Sequence, residues 1–240
     1  MLKTQFSSLS FLANWRTILV YFFITPFVDM LLLVLINAQY TGHFDWSIVL
    51  ASIAIDATHL SMTTMTQSLI TDANLGIDYE IIAQRPFSLR YWTNKVFVAL
   101  IVGFILATSN LALALIFGAP LIIINRVIMV LPLLCLFGII LGFTAWAISW
   151  EMNDPYFLSN LISSVMSLVA GILVVISAYP KWLEKIALLF PFYGPINLIK
   201  FKYADLRSSI LVTIIWLIIG IITYIVQIKH VLKTRHHKYN

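Results

Sequence analysis

Hydrophobic positions along this chain fall into six long runs, at 18–38, 48–70, 96–118, 127–149, 157–178 and 210–228. Each is close to the length of about 20 apolar residues that a helix needs to cross a bilayer core about 30 Å thick. None alternates with the period of two that a barrel strand requires, so the pattern predicts an all-α, polytopic membrane protein of six transmembrane helices in one domain, 1–240. Ahead of the first run, Leu2, Phe6, Leu9 and Ala13 recur at helical spacing beside polar Ser7, Ser8 and Asn14, which predicts an interfacial helix over 2–16. The first run continues past Asp29 to Ile36, longer than the roughly 7–15 apolar residues of a signal peptide, and is expected to stay as a span.

Composition agrees: 61% of the 240 residues are hydrophobic and 10% charged, more apolar surface than a soluble domain of this size can bury. Nothing in that balance points to nucleic acid. Nine of the 15 basic residues fall on the side of the termini and the second and fourth loops, so both termini are expected in the cytoplasm of a plasma-membrane protein. The single cysteine, Cys135, sits inside the fourth run and is expected to pack. Gly138 and Gly142 in that run are a small-residue pair suited to close helix contact.

Polar residues inside the apolar runs are the candidate functional groups. Asp29 lies in the first span with Pro26. In the second, Ser52, Asp56, His59, Thr63 and Thr66 share one helical face. Such a stripe lines a pathway or a subunit seam, or makes a hydrogen-bonded helix contact, and Asp56 and His59 are close enough in sequence to pair. Asp and His at this spacing offer two metal ligands with no convincing third, so no metal site is expected.

The loop 71–95 carries the densest signals. Gly76 can take a positive φ, 78–84 has helical character with Asp78, Glu80 and Gln84 opposite Tyr79, Ile81 and Ile82, Pro86 stops it, and Ser88 can cap a further short helix through Tyr91 and Trp92 to Lys95. This reads as a rigid knob for a soluble partner or as a well-ended loop. After the fifth run, Pro180 begins an amphipathic helix with Trp182, Leu183, Ile186 and Leu189 on its apolar side, and Pro191 and Pro195 are expected to break the chain before the basic stretch 200–207. There is no phosphate loop ending in Gly-Lys-Ser or Gly-Lys-Thr, no HExxH and no GxSxG, so no catalytic residues are nominated.

The order Gly76, 81–83, Pro86, Ser88, Tyr91 and Lys95 resembles the intracellular coupling loop of type-2 ATP-binding-cassette (ABC) exporter permeases. Pro180, Trp182, Ile186, Pro191 and Tyr193 resemble that family's outer short helix and following proline. Asp72 and Asn74 stand where the family shows an acidic residue closer to the glycine, and Ile77 where threonine is common. The resemblance implies the transmembrane permease subunit of an ATP-driven exporter, paired with a second permease subunit, a homodimer or heterodimer in membrane lipid. It also implies a separate nucleotide-binding ATPase that holds ATP and Mg, so that this chain binds no cofactor itself. Gly76, Asp78, Tyr79, Glu80, Ile81, Pro86 and Ser88 would then couple to the ATPase. The small size resembles permeases for antimicrobial peptides or amphiphilic drugs. A membrane-embedded lipid-modifying enzyme and a non-transporting peptide-binding immunity or sensor protein are the other classes compatible with the sequence.

Overall fold

The computed structural model describes residues 9, 12, 14–150, 152–201 and 205–238, and among them it is all helix and turn with no strand. In chain order the helices are α1 (Trp15–Thr41), α2 (Trp46–Asn74), α3 (Ile77–Gln84), α4 (Leu89–Ile116) and α5 (Leu121–Ser149). They are followed by α6 (Phe157–Val169), α7 (Lys181–Leu188), α8 (Tyr193–Phe201) and α9 (Leu206–Lys238). Five of them, α1, α2, α4, α5 and α9, are long and apolar enough to cross a membrane. The chain is a multi-pass membrane protein. The helix expected over 2–16 falls mostly outside the described residues. At its end Asn14 caps α1, its Oδ1 accepting the Arg16 N–H at 3.4 Å.

The arrangement inverts a water-soluble core. α2 has the lowest mean hydropathy of the five, 1.3, yet 83% of its window is buried, whereas α1, at 2.4, is 17% buried. Lipid tails accept apolar side chains freely, so the helix that needs covering is the one that carries hydroxyls and charge. α2 accordingly sits between α4 and α5, with α1, α6 and α8 also against it. The α2–α5 contact is close because α5 offers glycines there: a Cβ on Gly138 would run into the Thr58 carbonyl, and one on Gly142 into the Met62 carbonyl. The glycine pair is therefore an internal contact. The Thr66 hydroxyl crosses it to donate to the Gly142 carbonyl at 3.1 Å. Cys135 is fully buried in the same layer.

Pro26 reshapes α1. Proline has no N–H to give the carbonyl four residues back, and its ring pushes that carbonyl aside. The helix opens into a π turn over Val20–Ile24, and the Phe22 carbonyl accepts from Asn110 Nδ2 of α4 at 2.8 Å. Asn110 is 8% exposed and thus ties an otherwise lipid-facing helix to the bundle. Asn110→Leu keeps the volume and removes the donor. It is expected to lower stability by about 1–3 kcal/mol, read as an earlier unfolding midpoint in detergent.

The fifth apolar run differs from its expected form. In place of a helix over 157–178, α6 stops at Val169, Gly171 turns the chain at φ +71, and a 3-10 turn follows at Ile176–Ala178. Thirteen helical residues span about 20 Å, short of the roughly 30 Å core. Irregular backbone at membrane depth is stable only where protein covers it. Here Ile172 and Ile176 are buried, and the carbonyl of Ile172 accepts from Lys200 Nζ at 2.6 Å, while that of Leu168 accepts from the Tyr179 hydroxyl at 2.8 Å. Burial lowers the Lys200 pKa, and the Asp45 carboxylate opposes that shift. Arg126 Nη1 donates to the Ile199 carbonyl at 3.2 Å, fixing α8 to the start of α5.

Two smaller expectations change as well. Pro180 stands at the N-cap of α7 rather than at its first helical position, and Pro195 lies in the first turn of α8, where no N–H is required, instead of breaking the chain. Pro191 lies in the turn between α7 and α8. The apolar side of α7 is left open, with Trp182 65% exposed, as an interfacial helix requires.

Candidate functional site

Two features lie on α2 and are joined by it. The first begins where α2 ends. Gly76, at φ +71, is the N-cap of α3, the left-handed geometry read from its sequence context. α3 closes at Gln84, and the chain turns through Pro86 into α4, which runs without a break from Leu89 into the third span. Ser88 occupies the N-cap of α4, but its side chain makes no cap; its carbonyl accepts the Tyr91 and Trp92 amides.

A buried charge clamp holds this loop. Lys95 Nζ lies 2.8 Å from Asp72 Oδ2 and donates to the Ser68 carbonyl at 2.8 Å, while the Tyr91 hydroxyl donates to the same Asp72 oxygen at 2.7 Å. The ammonium also lies 5.2 Å from the Tyr91 ring centroid. Lys95, expected at the membrane boundary, is among the most buried large side chains. Its charge is tolerated there because the carboxylate, carbonyl and ring satisfy it together. Beside the clamp, the Pro86 carbonyl accepts from Trp92 Nε1 at 3.1 Å and from the Tyr224 hydroxyl of α9 at 3.0 Å. Trp92 stands edge-on to Tyr91, Phe143 and Tyr224. Gln227 Nε2 donates to the Ala147 carbonyl and fixes α9 to α5 at the same end. The loop is thus a rigid body fastened to three long helices.

Its outward face differs from the one read in the sequence. Asp78, expected to face outward with Glu80, is 4% exposed and turned inward, because it shares a helical face with buried Ile82. Ile81 is half-buried, Glu80 is exposed, and the Tyr79 side chain lies outside the described residues. The exposed apolar groups are Leu75 (67%), Ile77 (37%), Phe87 (58%) and Leu89 (80%), interspersed with exposed Arg85 and Arg90.

The second feature is a cleft of about 650 Å³ between α1, α2 and α6. Asp29 enters it from α1, Asp56, His59 and Thr63 from α2, and Ser159 and Asn160 from α6, with Tyr156 at the start of α6. The polar stripe of α2 is therefore divided. Ser52 is 1% exposed and donates to Asp56 Oδ2 at 3.5 Å, and Thr66 is spent on the α2–α5 contact. Asp56 and His59 both face the cleft and do not pair with each other. The α6 wall was not read from the sequence. Its signal is there: Asn160 and Ser164 repeat at a spacing of four opposite the buried Ile162, Met166 and Val169, with Ser159 and Ser163 between the two faces. Among the described residues no three His, Cys, Asp or Glu side chains come together to hold a metal ion. From Asp56 to Asp72 is 16 residues of one continuous helix, about 24 Å, so cleft and clamp ride on the same rod. A comparison with protein-family models finds no match to this chain, and a comparison with curated proteins finds none either.

Proposed function

We propose that this chain is the permease subunit of an ATP-driven ABC exporter in the cell membrane, with both termini cytoplasmic. It would work with a second permease subunit and a separate ATPase that holds ATP and Mg. The observation that carries this reading is α2 itself, which joins a polar intramembrane cleft to a clamped loop presenting exposed apolar side chains. An ATPase needs a stiff element to push against, and a pathway needs polar groups at membrane depth. Closure of the ATPase pair on ATP would displace α3. Because Asp72, Lys95 and the Pro86 carbonyl bind that loop to α2, α4 and α9, the displacement passes to the cleft rather than being absorbed in the connection. The positive-inside bias supports a cytoplasmic position for the loop, the side on which an ATPase would dock.

The test is recovery of the ATPase. The tagged chain, isolated from its native host in mild detergent, is expected to bring down a nucleotide-binding chain and its ATP hydrolysis. Phe87→Ala and Leu89→Ala each remove an exposed apolar anchor. Each is expected to lower affinity roughly thirtyfold if it loses about 2 kcal/mol, with the permease still inserted. Hydrolysis by the isolated chain, or full recovery of ATPase with both variants, would overturn the proposal.

A further inference from the structure

We infer that the cleft between α1, α2 and α6 takes the charged end of an amphiphilic organic cation, with Asp29 and Asp56 as its counter-charges. This rests on the exporter reading and adds to it the class of substrate.

The lining is one-sided in charge. Two carboxylates from different helices face one space, and among the described residues no lysine or arginine lines it, in a chain whose overall formal charge is +5. Apart from the 3.5 Å bond from Ser52, Asp56 has no donor among the described residues. An ionised carboxylate at membrane depth without a basic neighbour calls for a cation beside it.

A second observation is independent of the acids. Ser159 is 2% exposed and lines the same cleft, yet its hydroxyl makes no hydrogen bond among the described residues. The His59 ring has none either. Other hydroxyls of these helices bond back to their own backbone, as Thr63 and Ser163 do. Polar groups that line a cleft and are left open in this way are met by a ligand or by water.

Size and the remaining walls favour an organic body. About 650 Å³ is the volume of a site for one drug-sized molecule. Pro26, Leu60 and Leu106 give apolar surface, and the rings of Tyr21 and Tyr156 attract positive charge. A bare metal cation calls for several converging oxygens, and the two aspartates here stand on separate helices.

The experiment measures binding to the purified chain in phosphatidylcholine nanodiscs. Tritiated tetraphenylphosphonium is the probe, read by scintillation proximity with empty discs subtracted. Saturable binding is expected, with Asp56→Asn and Asp29→Asn each weakening it by about tenfold or more and Ser159→Ala by less. Tetraphenylborate, of the same shape and opposite charge, is expected not to compete. Equal competition by tetraphenylborate, unchanged affinity in both asparagine variants, or displacement by millimolar sodium or magnesium would each overturn the inference. Asp29 is exposed on α1, so its variant and the borate comparison carry the test where Asp56→Asn does not fold. No ATPase is needed for this binding. Loss of the co-purifying ATPase with cation binding intact would sink the exporter reading alone, and the reverse result would sink the substrate class alone.

Discussion

Lys95→Ala is expected to lower the stability of the chain by about 3–5 kcal/mol, the usual loss when one member of a buried ion pair is removed and the other left behind. Lys95 is 1% exposed and its partner Asp72 16%, so the carboxylate left behind has little water to turn to. The Tyr91 hydroxyl still donates to it, but the Ser68 carbonyl loses its donor. The double variant Lys95→Met with Asp72→Asn removes both charges and keeps an acceptor for Tyr91. It is expected to recover most of the loss. Unfolding in a denaturing detergent, followed by tryptophan fluorescence, measures all three proteins. Wild-type behaviour of Lys95→Ala would mean that the loop is held by its aromatic contacts alone and that the clamp transmits nothing.

Gly138→Val is the second large effect expected, by a different route. Its Cβ would meet the Thr58 carbonyl, which is backbone in the middle of α2 and cannot swing away as the end of a side chain could. α2 and α5 must separate along their whole contact, which also stretches the bond from Thr66 to the Gly142 carbonyl. Overpacking alone typically costs 1–3 kcal/mol, and the lost contact brings the expected total to about 3 kcal/mol or more. Ile128→Val, on the exposed face of α5, is the control and is expected to change little. An unfolding midpoint for Gly138→Val equal to that of the control would show that the helices are not locked at this seam.

How much of this was readable in the sequence depends on the distance over which each feature is decided. The long spans were legible because one continuous apolar run suffices to make a helix in lipid. The fifth was not, because where α6 ends depends on Gly171 taking φ +71 and on Lys200 reaching the Ile172 carbonyl. The stripe on α2 was legible from spacing. Its division into cleft and helix contact was not, because α6 and α5 decide it from opposite sides. Pro26 announces an orphaned carbonyl, but its donor lies 88 residues from Phe22, and Tyr224 lies 138 residues from the Pro86 carbonyl it binds. Asp78 is the instructive miss. Its polarity argued for the outside, while its place one turn before Ile82 carried it in.

The inverted burial of α2 has a consequence for how the chain is made. α2, which leaves the ribosome after α1, has a mean hydropathy of 1.3 and carries Asp56, His59 and a series of hydroxyls, so lipid alone is a poor home for it. Its cover comes from α4 and above all from α5, whose last residue, Ser149, is synthesised 75 residues after Asn74. Until then α2 is expected to need shelter from the insertion machinery or from α1, with its release into the bilayer following the arrival of the glycine face of α5. Membrane insertion of this protein is thus expected to be a joint event of α2, α4 and α5 rather than a succession of independent hairpins. A glycine substitution at that seam would be felt during synthesis, before any finished bundle exists to be destabilised.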